Sequence, residues 1–453
     1  NMERLAKKGI KFTNAYATPV CSPTRVSLMT GINAARHRVT NWTLRPDQKQ
    51  PMELNHPTLE FPDWNYNGIG LDSSTPNSVY AKPLPQLLSE NGYHTIHAGK
   101  AHFGAIGYPS SNPLNLGFDI NIAGHAAGRP ESYLGIENFG NGEAEKEVWA
   151  VPGLEKYHGQ DIFLTEALTQ EVINALDKPV KNKSPFFLYF ALYGIHTPLM
   201  ADERFVKSYY EMGIDETEVR YASMVESMDM ALGNVLNYLE VNQLDGNTII
   251  LFMSDNGGLS AHARGGEKHT HNYPLKSGKG SIYEGGIRVP MLAYWPNITQ
   301  AETINSTPLI IEDFFPSILE MAQIDTNDFP QTIDGQSFVP LLQNNTESQT
   351  NRPLFWHYPN EWGSEGPGIG SYSAVRQGDW KLIYFHTNKT FELYNLKKDI
   401  QENQNLLSSD YEKAKQLATK LTQHLINVNA QMPSDKLTKE IIPYPSTLGY
   451  FKE

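Results

Sequence analysis

The 453-residue sequence predicts an α/β protein: a mostly parallel central sheet flanked by helices, then a smaller antiparallel sheet carrying one helix. Three observations predict it. Through the first two-thirds, short apolar runs alternate with stretches of helical spacing. Several of those runs end in Gly, His, Lys or Asp, as strands do at the ligand crevice of an open parallel sheet. After about Leu342 the pattern changes to four strand-like runs separated by turn residues.

Residues 1–9 read as a helix with its glycine stop, and an upstream segment is expected before them. Ser22 and Pro23 read as the N-cap and first residue of a helix ending at Thr30-Gly31. Cys21 is then expected just before a helix N-terminus, where backbone N–H groups favour an anion. Strands are expected at 94–98, 186–193 and 248–253. Met224, Met228, Leu232, Val235 and Leu239 share one helical face, the methionines reading as core. A second helix is expected at 312–322, before the turn Asp334-Gly335. The polar run 343–348 reads as a linker, dividing the chain into 1–345 and 346–453. Beyond it, strands are expected at 354–357, 372–376, 380–385 and 391–394, with turns at Gly378-Asp379 and Asn388-Lys389, and a last helix at 411–428.

Lys and Arg number 37 against 50 Asp and Glu, a formal charge of −13 that excludes a general nucleic-acid binder. An anionic small substrate stays open, because a local group of cations can reverse the field inside one cleft. No apolar run is long enough to span a bilayer. A single cysteine allows no internal disulfide.

The chemistry-bearing residues fall in five segments. Cys21-Ser22-Pro23-Thr24-Arg25 pairs a thiol with an arginine one turn on. Gly99-Lys100-Ala101-His102-Phe103-Gly104 and His196-Thr197-Pro198 each follow a strand. Asp255-Asn256-Gly257-Gly258 sets a carboxylate beside an amide oxygen, donors suited to a hard cation. Lys279 lies between Gly278 and Gly280, where the backbone can approach a ligand closely. The spacing of a phosphate-binding loop is absent. Singly, each has an ordinary reading: a buried thiol, a surface lysine, a capping histidine, an Asp-Asn-Gly turn.

Together with 374–382 and Glu392-Leu393-Tyr394-Asn395-Leu396, these segments resemble the formylglycine-dependent sulfatases of the alkaline-phosphatase-like superfamily, in character nearest the bacterial polysaccharide sulfatases, along nearly the whole chain. The resemblance implies that a maturation enzyme oxidises Cys21 to formylglycine and that Arg25 orients it. It implies that Lys100 binds a sulfate oxygen, that His102 resets the nucleophile, and that His196 and Lys279 serve the leaving alcohol. It also implies one calcium ion (Ca2+) on Asp255 and Asn256. One departure stands out. The family adds two adjacent aspartates from its first central strand, and no Asp-Asp pair occurs here. The calcium expectation rests on half a site.

His125 and Arg129, with His262, Arg264, Lys268, His269 and His271, read either as solvated loop charges or as recognition of a sulfated sugar. The expected function is removal of sulfate from a sulfated poly- or oligosaccharide, algal ones included, at a periplasmic or secreted location, with no nucleic-acid partner. A broad arylsulfatase, a phosphoester or phosphonate hydrolase of the same superfamily, and a sulfoglycan-binding protein with a dead site are the alternatives.

Overall fold

The computed structural model describes residues 1–142, 147–325, 329–344 and 351–451. Helix α1 (Met2–Lys8) leads into strand β1 (Ile10–Tyr16), where Ile10 and Phe12 point into the core and Lys11 stays exposed, the two-residue period of a strand. Helix α2 (Cys21–Thr30) follows and stops at Gly31 in the left-handed conformation. Then come β2 (His94–Gly99), β3 (Ile120–Ile122), α3 (Leu164–Asn182) and β4 (Phe186–Ala191). Helix α4 (Glu216–Val241) begins earlier than its apolar face suggested, because the Asp215 carboxylate accepts the Thr217 N–H at 2.9 Å and caps it. Strands β5 (Ile250–Met253), β6 (Arg288–Tyr294), β7 (Thr303–Asn305) and β8 (Leu309–Ile310) precede helix α5 (Phe314–Met321).

These strands form two sheets. One has the order β3-β2-β4 and is wholly parallel, with Ile96 opposite both Ile120 and Leu188. The other has the order β7-β1-β6-β5, with β8 also on β1. Here β1 pairs β7 and β8 in parallel, whereas β6 runs antiparallel to β1 and β5. The reason is the connection from Met253 to Arg288. It stays at one end of the sheet instead of crossing over on a helix, so the next strand must run back. Helices α3 and α4 pack over the first sheet, Leu164, Leu168 and Val172 meeting Ile96 and Ala98. Strands β4 and β5 each end their sheet, are paired on one side, and line one cleft with half-buried side chains.

The C-terminal sheet is an antiparallel meander of β9 (Pro353–Tyr358), β10 (Tyr372–Gln377), β11 (Trp380–Phe385) and β12 (Thr390–Asn395), followed by α6 (Tyr411–Asn427). Its faces alternate as a strand requires. Val375 and Leu382 pack on Leu417 and Leu421 of α6, while Ala374 and Ile383 join Ile10, Phe12 and Tyr16 in the main core. The two expected parts therefore share one core. The Trp356 indole donates to the Ala17 carbonyl at 2.9 Å across the seam. Lys381 on β11 is buried between Glu284 and Glu402, 2.9 Å from each. The expected linker lies, from residue 345 onward, outside the described residues. Among the described residues no helix is long and apolar enough to cross a membrane.

Candidate active site

The C-terminal ends of β1, β2, β4 and β5 converge on one cleft of about 1640 Å³, lined by Cys21, Lys100, His102, His196, Asp255 and Lys279. Arg25 and Asn256 line it too. This is the ligand crevice of an open α/β sheet.

Helix α2 starts two residues earlier than Ser22 and Pro23 predict. Val20 is its N-cap and Cys21 is already in the first turn. The would-be capping hydroxyls are engaged elsewhere: Ser22 Oγ lies 3.2 Å from Thr43 Oγ1, and Thr24 Oγ1 accepts the Thr18 N–H at 3.0 Å. The thiol is 3 % exposed. It donates to Asn256 Oδ1 at 3.3 Å, and the Lys279 ammonium donates to it at 3.4 Å. Burial works to raise the Cys21 pKa, but the charges of Lys100 and Lys279 outweigh it and hold the thiol well below its ordinary value.

Asp255 anchors the cations. Its Oδ2 accepts from Arg25 Nε at 3.0 Å and Nη2 at 2.8 Å, and from Lys100 Nζ at 3.5 Å. Burial opposes ionisation, yet Lys100 and Arg25 hold this carboxyl far below the usual carboxylate range. Arg25 also donates to the Lys100 carbonyl at 2.7 Å, tying the segments after β1, β2 and β5 together.

Two histidines have tautomers fixed by carbonyls, which can only accept. His102 Nε2 lies 2.8 Å from Thr43 O, so that nitrogen carries the proton. Its Nδ1 is then an unprotonated lone pair, buried and without a hydrogen-bond partner. Burial lowers the His102 pKa and keeps it neutral. His196 Nδ1 lies 3.0 Å from Thr197 O, so Nε2 accepts from Lys279 at 3.0 Å. Burial and the Lys279 charge push His196 down to about 4. Gly128 lies against the His102 ring, where a methyl group would come within 2.3 Å of Cε1.

A calcium ion does not fit the residues present by themselves. Calcium takes six to eight oxygens, and among the described residues no three His, Cys, Asp or Glu side chains gather into such a group. Asp255 and Asn256 supply one carboxylate and one amide, already engaged with Arg25, Lys100 and Cys21.

Of the seven expected substrate residues two line the cleft, and Lys268 is among the five that do not. Arg129 and His262 line the cleft. His125, Arg264, His269 and His271 do not, each held by its own neighbours. His125 packs on Tyr193, Arg264 pairs with Glu218 at 2.5 Å and lies over the Tyr221 ring, His269 packs on Gly366, and His271 bonds Ser260 and the Gly265 carbonyl. Three tryptophans that the motif reading passed over, Trp42, Trp149 and Trp362, also line the cleft. The available signal was Trp362 in the glycine-rich stretch 359–370, where no strand or helix pattern gives an aromatic a core to fill.

The sulfatase family model matches residues 1–324. The chain belongs to the sulfatase family. A second model, N-sulphoglucosamine sulphohydrolase C-terminal, matches residues 277–431. This sulfatase is 27% identical over 495 residues to a sulfatase of Formosa agariphila, covering 98% of the present chain and 86% of that one. It is 30% identical over 376 residues to the N-acetylgalactosamine-6-sulfatase of Homo sapiens, covering 79% of this chain and 63% of that protein. Among solved structures, Ps i-CgsB in complex with k-i-k-neocarrahexaose aligns with a TM-score of 0.73 at 27% identity, covering 94% of this chain and 86% of that one. The sulfatase is thus an enzyme of sulfate ester hydrolysis, with the α/β fold and separate C-terminal sheet that the sequence predicts.

Proposed function

We propose that this sulfatase removes sulfate from a sulfated poly- or oligosaccharide, algal polysaccharides included, with an oxidised Cys21 as nucleophile. The observation that carries the reading is the contact of Lys279 with both Cys21 and His196 inside a cleft that also holds Lys100 and His102. Formylglycine at position 21 would supply a hydrated aldehyde as the nucleophile toward sulfur. The family generally uses this group and calcium, and a maturation enzyme is the partner that the oxidation requires.

The chain's own residues supply the rest. Lys100 and Lys279 neutralise the sulfuryl oxygens, and their burial strengthens each charge contact. Lys279 is the proton store for the departing alcohol, passing a proton directly or through His196 Nε2. His102 Nδ1 takes the proton from position 21 that resets the nucleophile. Arg25 fixes Asp255 and the Lys100 backbone, and so the spacing of the cations. Asp255 and Asn256 would give part of a calcium shell. For the sugar, the reading narrows to Arg129 and His262. The saccharide class is supported by the neocarrahexaose bound to Ps i-CgsB and by the N-acetylgalactosamine-6-sulfatase relative. A polymeric substrate of this kind is met outside the cytoplasm, so a periplasmic or secreted location belongs to the same proposal.

The test is co-expression with a formylglycine-generating enzyme, mass analysis of the Cys21 peptide, and sulfate release from carrageenan, fucan and glycosaminoglycan oligosaccharides beside matched aryl sulfate and aryl phosphate esters. Conversion of Cys21 and sulfate release from one saccharide are expected. A retained thiol with no sulfate release, or a clear preference for phosphate, would overturn the reading.

A further inference from the structure

The cleft contains a surface that the catalytic groups do not explain. Three of the seven tryptophans line it, all half-buried; Trp362 packs part of its surface on the main core and turns the rest to the cleft. Trp362 is the one that touches the backbone beside Lys279. It is carried on the connection between β9 and β10, so it reaches the cleft from the C-terminal sheet. Its six-membered ring lies against the backbone of Gly280, where a methyl group would come within 2.2 Å of Cε3. Gly280 directly follows Lys279, and its φ of +86 is one that an L side chain rarely adopts. The indole therefore stands against the backbone of the segment that carries Lys279.

Its neighbours are arranged as a recognition site. The His262 ring is 5.7 Å from the indole, and His262 Nδ1 lies 3.1 Å from Ser364 Oγ, which holds the imidazole in place beside the ring. Across the same cleft, the Arg129 guanidinium lies 4.3 Å over the Trp149 ring. An aromatic face with a hydrogen-bonding group at its edge matches a pyranose, which offers apolar C–H groups on one face and hydroxyls around its rim. A structural aromatic in a core has no need of a half-exposed face or of a polar partner oriented beside it.

We propose that Trp362 is a specificity-determining platform on which the ring of the sulfated sugar stacks, with His262 hydrogen-bonding a hydroxyl at its edge. The proposal rests on the saccharide reading above and adds to it a residue contributed by the C-terminal sheet. Trp362→Leu keeps bulk against Gly280 but removes the aromatic face, and Trp362→Phe keeps a face.

Both variants and the wild type, each matured with formylglycine, are assayed on the sulfated oligosaccharide that the wild type turns over fastest. Trp362→Leu is expected to raise KM roughly tenfold while kcat holds within a factor of about two, and Trp362→Phe to recover most of the loss. A fall in kcat with KM unchanged would mean that the indole only braces Lys279, and unchanged constants would mean that it does neither; each overturns the inference and leaves the saccharide reading standing. A wild type that cleaves aryl sulfate but no saccharide overturns both. Should the leucine variant not fold, KM for the phenylalanine variant still decides, since a stacking role predicts a rise of a few-fold and a brace predicts a loss of kcat.

Discussion

Gly128 has no room for a methyl group, and that makes it a lever on His102. Its φ is not in the left-handed region, so alanine strains no backbone there, yet the new Cβ would fall 2.3 Å from the imidazole Cε1. The ring must shift, and Nδ1 moves away from position 21. Displacing a positioned base by about 1 Å costs on the order of 10²-fold in rate. Gly128→Ala is expected to lower kcat by about that factor with little change in thermal midpoint, as steady-state kinetics beside a melting curve will read. The residues that carry chemistry were legible because their spacings lie within short segments: Cys21 with Arg25, Lys100 with His102, Asp255 with Asn256. The orientation of His102 was not legible. It depends on the Thr43 carbonyl and on Gly128, which only folding brings to it. Nor was the difference between Arg129 and Arg264, since the partner that takes Arg264 out of play, Glu218, sits on α4.

Between elements, the decisive contact is Lys381 of β11 against Glu284, just before β6, and Glu402, just after the meander. All three are buried. Burial works to raise the Glu284 pKa, but Lys381 and two arginines hold it low, whereas burial pushes Glu402 up. Glu402 also accepts the Glu284 N–H at 2.7 Å, and its carbonyl accepts from Lys276 at 2.9 Å, so the segment bearing Lys279 is tied at both ends to the C-terminal sheet. Removing the one cation leaves two carboxylates buried together. Lys381→Met is expected to cost about 3–5 kcal/mol of unfolding free energy, measured by chemical denaturation. Sequence patterning found the meander strands nearly to the residue, because two-residue alternation, Gly378-Asp379 and Asn388-Lys389 are local signals. The antiparallel β6 left no such trace, because its direction follows from the path of residues 254–287 in space.

The whole molecule responds to pH through its buried histidines. Burial holds His37 and His97 at about 3, His357 and His424 at about 4, and His386 well below the ordinary value. A histidine with a depressed folded pKa takes up its proton more readily when unfolded. Its contribution is therefore complete above about pH 6.5 and is lost as pH falls toward the folded value, by up to about 1.4 kcal/mol per pH unit for each group. Glu312 has the opposite sign. Burial beside Asp313 pushes it up to about 8, so its contribution is complete below about pH 4.5 and lost as pH rises through 8. The buried histidines together outweigh Glu312 on the acid side, and Glu402, pushed up to about 7, adds to the loss toward alkaline pH. The thermal midpoint is expected to be highest near pH 6.5, to fall steeply toward pH 5, and to fall gently toward pH 8; a midpoint flat from pH 7 to 5 would show that these imidazoles are not sealed from water.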